Sequence, residues 1–342
     1  MVVLVTGGAG YIGSHCVLAL LEAGYEVAVF DSLELGHKET MNLLKEVGGE
    51  RLVRFTRGDL LDRGSIVPAF SEGDVEAVVH FAAYSRVEES VRDPGRYYRN
   101  NVCGTLNLLD AMRDYGVGMM VFSSTAAVYG EPKYVPIDED HSMDPINPYG
   151  RSKMMVERIM DDYSESYGLR SVRLRYFNVA GADGLSRIGE WHEPETHLIP
   201  NILRSAIEDG FTFRMFGEDY NTRDGTCIRD YVDVRDLADA HVLALRYLEK
   251  GGRTDAFNLG TKEGSTVREV YQTCRDVLGA DIPLEVSTRR PGDPAALVAD
   301  NDKARRVLGW NPRRTLEDSI SSAYAWEYSR HGHFGNSDKS ME

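Results

Sequence analysis

The chain opens on an unbroken apolar run, Val2 to Val5, followed by T-G-G-A-G-Y-I-G and then by S-H-C-V-L-A-L-L-E-A-G. An unbroken apolar run before a glycine turn predicts a strand buried on both faces. The helical spacing of apolar residues after the turn predicts a helix that ends at Gly24. The same alternation continues downstream. Strands are expected over Glu26–Phe30, near Leu52–Thr56, near Ala77–Phe81, over Met119–Phe122 and over Ser171–Phe177. Helices are expected near Arg63–Phe70, from about Arg96 to Tyr115, and from Pro148 to about Tyr167. Strands alternating with helices from the first residue imply an α/β fold with a doubly wound parallel sheet, its ligand crevice lying beyond the strands' C-terminal ends.

Past Asn178 the pattern changes. Residues 181–197 form a polar loop, G-A-D-G-L-S-R-I-G-E-W-H-E-P-E-T-H, too long for a simple connector. After it come a helix (Leu198–Asp209), strand pieces (Phe213–Phe216 and Cys227–Val232), a helix (Val234–Glu249) and a strand (Ala256–Leu259). A helix (Thr266–Leu278), the loop R-R-P-G-D-P and a last helix (Leu316–Ser329) follow. This predicts a dinucleotide-binding domain over 1–178, to which 233–260 returns, and a smaller C-terminal α/β lobe over 179–342 that takes the substrate. A tail past about residue 331 is expected to fray.

Composition narrows the class. With 342 residues, 42% hydrophobic and 27% charged, the chain can bury a large core. A formal charge of −15 and a pI near 5.1 argue against nucleic acid as a partner. No signal peptide or membrane-spanning run is expected, since glycines break the apolar N-terminus early. Cys16, Cys103, Cys227 and Cys274 form no C-x-x-C and read as small apolar residues in a reducing compartment, the cytoplasm. The nine histidines contain no H-x-x-x-H, so no metal site is expected.

The candidate chemistry sits at strand ends. Gly7 permits a tight turn, Gly10 lets backbone approach a pyrophosphate, and Gly13 lets the helix pack closely. The helix N-terminus supplies free N–H groups and a positive dipole. The next strand ends in Asp31, suited to grip ribose hydroxyls; no arginine follows it, which favours NAD over NADP. The strand at Met119–Phe122 runs into Ser123, Ser124 and Thr125. Downstream, Asn147 and Pro148 start a helix that carries Tyr149 and Lys153 one turn apart on one face. A phenol beside an ammonium and facing a hydroxyl suits proton transfer to and from an alcohol. Tyr129 and Lys133 share that spacing, but Gly130 and Pro132 argue against a helix there.

Taken together, T-G-G-A-G-Y-I-G-S-H, N-N-V-C-G-T-L-N-L-L-D-A-M, F-S-S-T-A-A-V-Y-G, P-Y-G-R-S-K, L-R-Y-F-N-V-A-G-A, G-T-C-I-R-D-Y and R-R-P-G-D resemble the extended short-chain dehydrogenase/reductase family, in its UDP-sugar 4-epimerase branch. The resemblance implies a Rossmann domain, a tightly held NAD, and interconversion of UDP-glucose and UDP-galactose through a 4-keto sugar. It makes Tyr149 the base, gives Lys153 the nicotinamide ribose and the task of lowering the phenol's pKa, and has Thr125 hydrogen-bond the reacting hydroxyl. It assigns cofactor contacts to Gly7, Gly10, Tyr11, Ile12, Gly13 and Asp31, to Asp59, Leu60, Phe81, Ala82, Ala83 and Asn100, and to Ser123 and Tyr176. It assigns the UDP-sugar to Phe177, Asn178, His197, Leu198, Arg229, Arg290, Asp293 and Leu297. Homodimers through the helices near 96–115 and 148–167 are also implied.

Several positions depart from or divide the family. Relatives that eliminate water carry acidic residues after the active Thr, whereas this chain has Ala126 and Ala127. Leu297 stands where strict UDP-galactose epimerases often carry Tyr, which admits UDP-GlcNAc/UDP-GalNAc as substrates; UDP-xylose/UDP-arabinose is a further alternative. The loop Ala83-Tyr84-Ser85-Arg86 lacks a lysine that some relatives have. Non-catalytic NAD sensors of this fold commonly lose the Tyr/Lys pair, which is intact here.

Overall fold

The computed structural model describes residues 1–72, 74–290 and 293–334. Seven parallel strands form the central sheet, in the order Asp255–Leu259, Arg170–Tyr176, Met119–Ser123, Val75–His80, Val2–Thr6, Glu26–Asp31, Leu52–Arg57. Chain order reverses at Val2–Thr6, so the crevice opens between its end and that of Val75–His80.

The unbroken apolar runs have a direct explanation: both sheet faces are covered. Val3, Val5, Val29, Val79 and Val121 point into one core with the helices Tyr11–Glu22 and Val234–Glu249. Leu4, Ala28, Val78, Met120 and Phe122 point into the other, with the helices Arg63–Phe70, Gly104–Asp114 and Pro148–Tyr167. Residues successive along a strand therefore serve opposite cores.

A third core, including Ile199, Ile202, Leu203, Met215, Val270, Cys274 and Ile320, lies among short strands and helices of the second half. There, Phe213–Phe216 pairs with Leu284–Ser287, and Ile228–Arg229 pairs with both Ser265–Thr266 and Ala296–Leu297. Tyr231–Asp233 pairs with Asn178–Ala180. The region expected as one strand over Cys227–Val232 is thus two short ones that join different partners.

The helix expected from Arg96 to Tyr115 is divided into Pro94–Tyr97, a wide π-type turn over Tyr98–Cys103, and Gly104–Asp114. The wide turn carries buried Asn101 inward. Its amide accepts from Tyr84 N at 2.9 Å and donates to Tyr84 O at 2.9 Å and to Ser152 Oγ at 3.0 Å. Helices at Lys38–Gly48, Val87–Arg92 and Asp302–Leu308 were not expected, and the last helix runs on to Phe334. Most of the tail expected to fray, 335–342, lies outside the described residues. Cys103 is exposed, unlike the other three cysteines, so it is no core residue.

A buried ion pair joins the long helix to the sheet. Glu157 meets Arg175 at 2.6 Å and accepts from Ser124 Oγ at 2.5 Å; Arg175 also donates to Tyr129 Oη at 3.0 Å. Tyr129 in turn donates to Asn258 at 2.7 Å, which binds in the edge strand Asp255–Leu259. Removing one partner of a buried pair strands the other charge. Glu157→Ala is expected to lower unfolding free energy by about 3–5 kcal/mol in chemical denaturation; a loss below about 1 kcal/mol would mean Arg175 reaches solvent.

Candidate active site

The cleft beyond the strand ends encloses about 570 Å³. Gly7, at φ +73, donates its N–H to Phe30 O at 2.8 Å, and a Cβ there would sit 2.6 Å from Ala82 N. At Gly13 a Cβ would lie 2.1 Å from Gly7 O, so only glycine lets the helix seat against the turn. A Cβ on Gly10 would meet only Gly7 O, at 3.4 Å, so the rest of the space above it belongs to the cleft. That opening, at the N-terminus of a 12-residue helix, fits a pyrophosphate.

Asp31 is buried at the rim. Its two oxygens accept from Ala9 N at 2.9 Å and Leu33 N at 2.8 Å. Burial raises its pKa and these bonds lower it. A carboxylate fixed in this way retains lone pairs for a diol, so the residues present fit a dinucleotide with free ribose hydroxyls.

Tyr149, Lys153 and Thr125 meet at the cleft's inner end. Burial raises the Tyr149 phenol above its ordinary value, and a hydrogen bond from Thr125 pulls it down. The Lys153 ammonium, on the same helix face, donates to Ser123 O at 2.7 Å and lies 4.8 Å from the Phe122 ring centre. Burial pushes Lys153 down to about 7, with Glu157 opposing. Ser123 Oγ and Tyr176 Oη form a buried hydrogen bond beside the pair.

All the proposed cofactor contacts line this one cleft, as do Phe177, Asn178, His197 and Leu198. Arg229, Arg290, Asp293 and Leu297 do not. Arg229 is paired with Asp293 and donates to Pro294 O at 2.9 Å. Leu297 packs with Ala126, Val128, Tyr129 and Ile137, in a cluster that Phe177 also joins from the cleft wall. Arg290 lies over the Phe216 ring at 4.1 Å, with its Nε 4.0 Å from Glu88. Pro291 and Gly292 of the R-R-P-G-D motif fall outside the described residues.

Sequence reasoning missed the ties across the cleft's mouth. Glu34 accepts from Tyr84 Oη at 2.7 Å and from Arg96 at 2.7 Å, joining the loop after Asp31 to that after His80. Arg86 donates to Glu193 O and Pro194 O, each at 3.0 Å, and Trp191 stacks on His37 at 3.8 Å. The polar loop 181–197 therefore walls the cleft from both sides. Within it, ligand atoms of Glu190, His192, Glu195 and His197 lie within 4.8 Å of one another. The expectation of no metal site looked for a helical H-x-x-x-H, a spacing that this folded-back loop does not use. The signal was the dense run G-E-W-H-E-P-E-T-H.

A family model described as GDP-mannose 4,6 dehydratase matches residues 4–323. UDP-glucose 4-epimerase of Lactobacillus helveticus is 49% identical over 330 residues, covering 96% of this chain and 98% of that one. The crystal structure of UDP-glucose 4-epimerase from Brucella ovis in complex with NAD superposes with a TM-score of 0.89 at 45% identity, over 95% of this chain and 98% of that one. The enzyme from Stenotrophomonas maltophila, with bound NAD and formylated UDP-arabinopyranose, gives a TM-score of 0.94 at 39% identity, over 97% and 99%. The chain belongs to the UDP-glucose 4-epimerase branch of the extended short-chain dehydrogenase/reductases. Within that family the dehydratase name of the matching model describes a neighbouring chemistry, for which Ala126 and Ala127 provide no proton-transfer group.

The opposing pulls on Tyr149 yield a pH prediction. In this family's reaction the base must be ionised, and Thr125 favours the ionised form. Thr125→Val removes that donor and raises the phenol's pKa. The acidic limb of the kcat/KM profile is then expected to move to higher pH, and an unmoved limb would remove Thr125 as the tuning group.

Proposed function

We propose that this chain is an NAD-dependent UDP-glucose 4-epimerase, inverting C4 of the UDP-linked sugar through a transient 4-keto sugar. The observation that carries this reading is the buried Tyr149 phenol, hydrogen-bonded by Thr125, in the same cleft as the open face of Gly10 and the carboxylate of Asp31. Gly7, Gly10, Tyr11, Ile12 and Gly13 would hold the pyrophosphate, Asp31 the adenosine ribose, and Asp59, Leu60, Phe81, Ala82, Ala83 and Asn100 the neighbouring surfaces. Bound NAD supplies a reversible hydride acceptor at the sugar's C4.

The chain's own residues handle the proton and the geometry. Tyr149 takes the proton from the 4-hydroxyl as general base and returns it as general acid. Thr125, whose one O–H proton serves the phenol in the free site, would turn it to the reacting oxygen once sugar is bound, and Ser123 and Tyr176 support the pair. Lys153, anchored on Ser123 O and poised near neutrality, sits where a ribose hydroxyl would meet it. Phe177, Asn178, His197 and Leu198 would take the nucleotide end. For Arg229, Arg290 and Asp293 a role with the diphosphate requires Arg229 to exchange its Asp293 contact for substrate.

Tyr149→Phe is expected to cut turnover of UDP-galactose by about 10²–10⁴-fold while bound cofactor is retained. Near-normal turnover would refute the assignment. A chain that holds NAD tightly but turns over no UDP-hexose would instead be a dinucleotide sensor.

Leu297 favours a second substrate class. It packs in the cluster shared with Phe177, and a leucine there leaves more room than a tyrosine. UDP-GlcNAc/UDP-GalNAc is therefore a further substrate pair, and UDP-xylose/UDP-arabinose removes bulk altogether. Leu297→Tyr is expected to suppress N-acetylhexosamine turnover selectively; an unchanged preference among UDP-glucose, UDP-GlcNAc and UDP-xylose would dismiss it as gatekeeper.

Exposed apolar side chains on helices bordering this domain, Leu106 and Met155 among them, support a homodimer. The free cysteines support a cytoplasmic setting. No helix among the described residues is long and apolar enough to cross a membrane.

A further inference from the structure

We infer that Glu190, His192, Glu195 and His197 form a site for one divalent transition-metal ion, zinc by ligand chemistry, that fastens the loop 181–197 along the cleft. The four are the one such group found among the described residues, each offering a ligand atom within 4.8 Å of the others. His197 Nδ1 lies 2.5 Å from Glu190 Oε1 and 3.4 Å from Glu195 Oε1. His192 Nδ1 lies 3.2 Å from Glu190 Oε1 and 3.6 Å from Glu195 Oε2. Ligands about 2.0–2.2 Å from a tetrahedral zinc stand about 3.4 Å apart; three of these separations match that spacing, and the fourth, His197 to Glu190, is a direct contact that opens by about 1 Å to admit an ion.

Three further observations point to a cation. Both carboxylates are nearly buried, with side-chain exposures of 7% and 6%, and pair with the two imidazoles, whose protons a dication would replace as the balancing charge. His192 Nδ1 is buried and makes no aligned hydrogen bond, despite its closeness to Glu190. The scaffold is fixed in advance: Glu195 Oε1 accepts from Thr196 N at 2.6 Å and His197 N at 2.7 Å, and Glu190 O accepts from Trp326 Nε1 at 3.0 Å. Two imidazoles with two carboxylates suit zinc and its first-row neighbours; magnesium and calcium take oxygen shells. A dication on two neutral imidazoles leaves the group electrically neutral.

The ion would act on the cofactor cleft mechanically. Glu190, His192 and His197 line it, and the His192 ring lies 6.3 Å, edge-on, from that of Tyr11 at the glycine turn. Coordination through Nδ1 leaves Nε2 of His197 available. The site stands on the loop's geometry and does not depend on which sugar is turned over.

The test uses the intact protein with its retained cofactor, stripped by a chelator and reloaded with zinc alone at about pH 7.5, where metal competes better with ligand protons. Elemental analysis after gel filtration is expected to give one zinc per chain. Cobalt in its place is expected to show the visible bands of a four-coordinate site. His192→Asn and Glu195→Gln are each expected to weaken zinc retention by at least about 10-fold. Wild-type protein that keeps no zinc overturns the inference, as does zinc held equally by both variants. Should either variant fail to fold, the wild-type stoichiometry and the cobalt spectrum still decide.

Discussion

One helix face reading one strand end is the constraint from which the site follows. Tyr149, Lys153 and Glu157 recur every four residues along Pro148–Tyr167 and so lie in one row. Each meets a neighbour in the strand end: Tyr149 the Thr125 hydroxyl, Lys153 the Ser123 carbonyl, Glu157 the Ser124 hydroxyl. The innermost contact is the buried pair of Glu157 with Arg175, which locks the register between helix and sheet. Burying two charges costs more than it returns unless their remaining hydrogen bonds are satisfied. Here Ser124, Tyr129 and Asn258 satisfy them in sequence, so the cost is offset by a unique placement of the phenol.

That arrangement also explains which parts were legible from sequence. Val2–Thr6, the glycine turn and its helix could be read because their signal is local: an apolar run, a turn chemistry and a period. Tyr149 and Lys153 could be read because four residues in a helix make one face. What escaped were contacts between segments distant in the chain. Glu34 with Tyr84 and Arg96, or Arg86 with the backbone of residues 193 and 194, leave no periodicity, since each partner is an ordinary polar loop residue. The π-type turn at Tyr98–Cys103 escaped for a related reason. Its cause is Asn101 holding the Tyr84 backbone, a partner 17 residues away.

Charge follows the same logic. A chain of net charge −15 can hold the dianionic pyrophosphates of a dinucleotide and a UDP-sugar only if its local field differs from its average. Close to the glycine turn the helix N-terminus provides that field without any side chain. The arginines at the mouth serve a different purpose: Arg96 is engaged by Glu34 and Glu89, and Arg86 by two carbonyls. They hold loops together across the opening, so their charge is largely spent before a ligand arrives. Guanidinium groups seen lining a cleft are thus weak evidence for phosphate contact unless their existing partners are counted.

The same accounting bears on the reaction. An α/β scaffold with a glycine turn, a ribose carboxylate and a Tyr/Lys helix can oxidise and reduce a sugar carbon, and nothing in those parts selects epimerisation over dehydration. The choice lies in the turn that follows Thr125. Thr125 caps Ala126–Val128 by accepting from Ala127 N at 3.1 Å, which aligns that turn beside Tyr149. Acidic side chains at those positions, one and two residues past Thr125, would supply the proton shuttle that elimination requires. Methyl groups cannot, and Ala126, itself buried, packs into the apolar cluster of Val128, Tyr129 and Ile137. With no titratable side chain at those two positions, the Tyr149 phenol beside Thr125 remains the acid for the keto sugar, and reduction at C4 is the exit that this chain's chemistry favours.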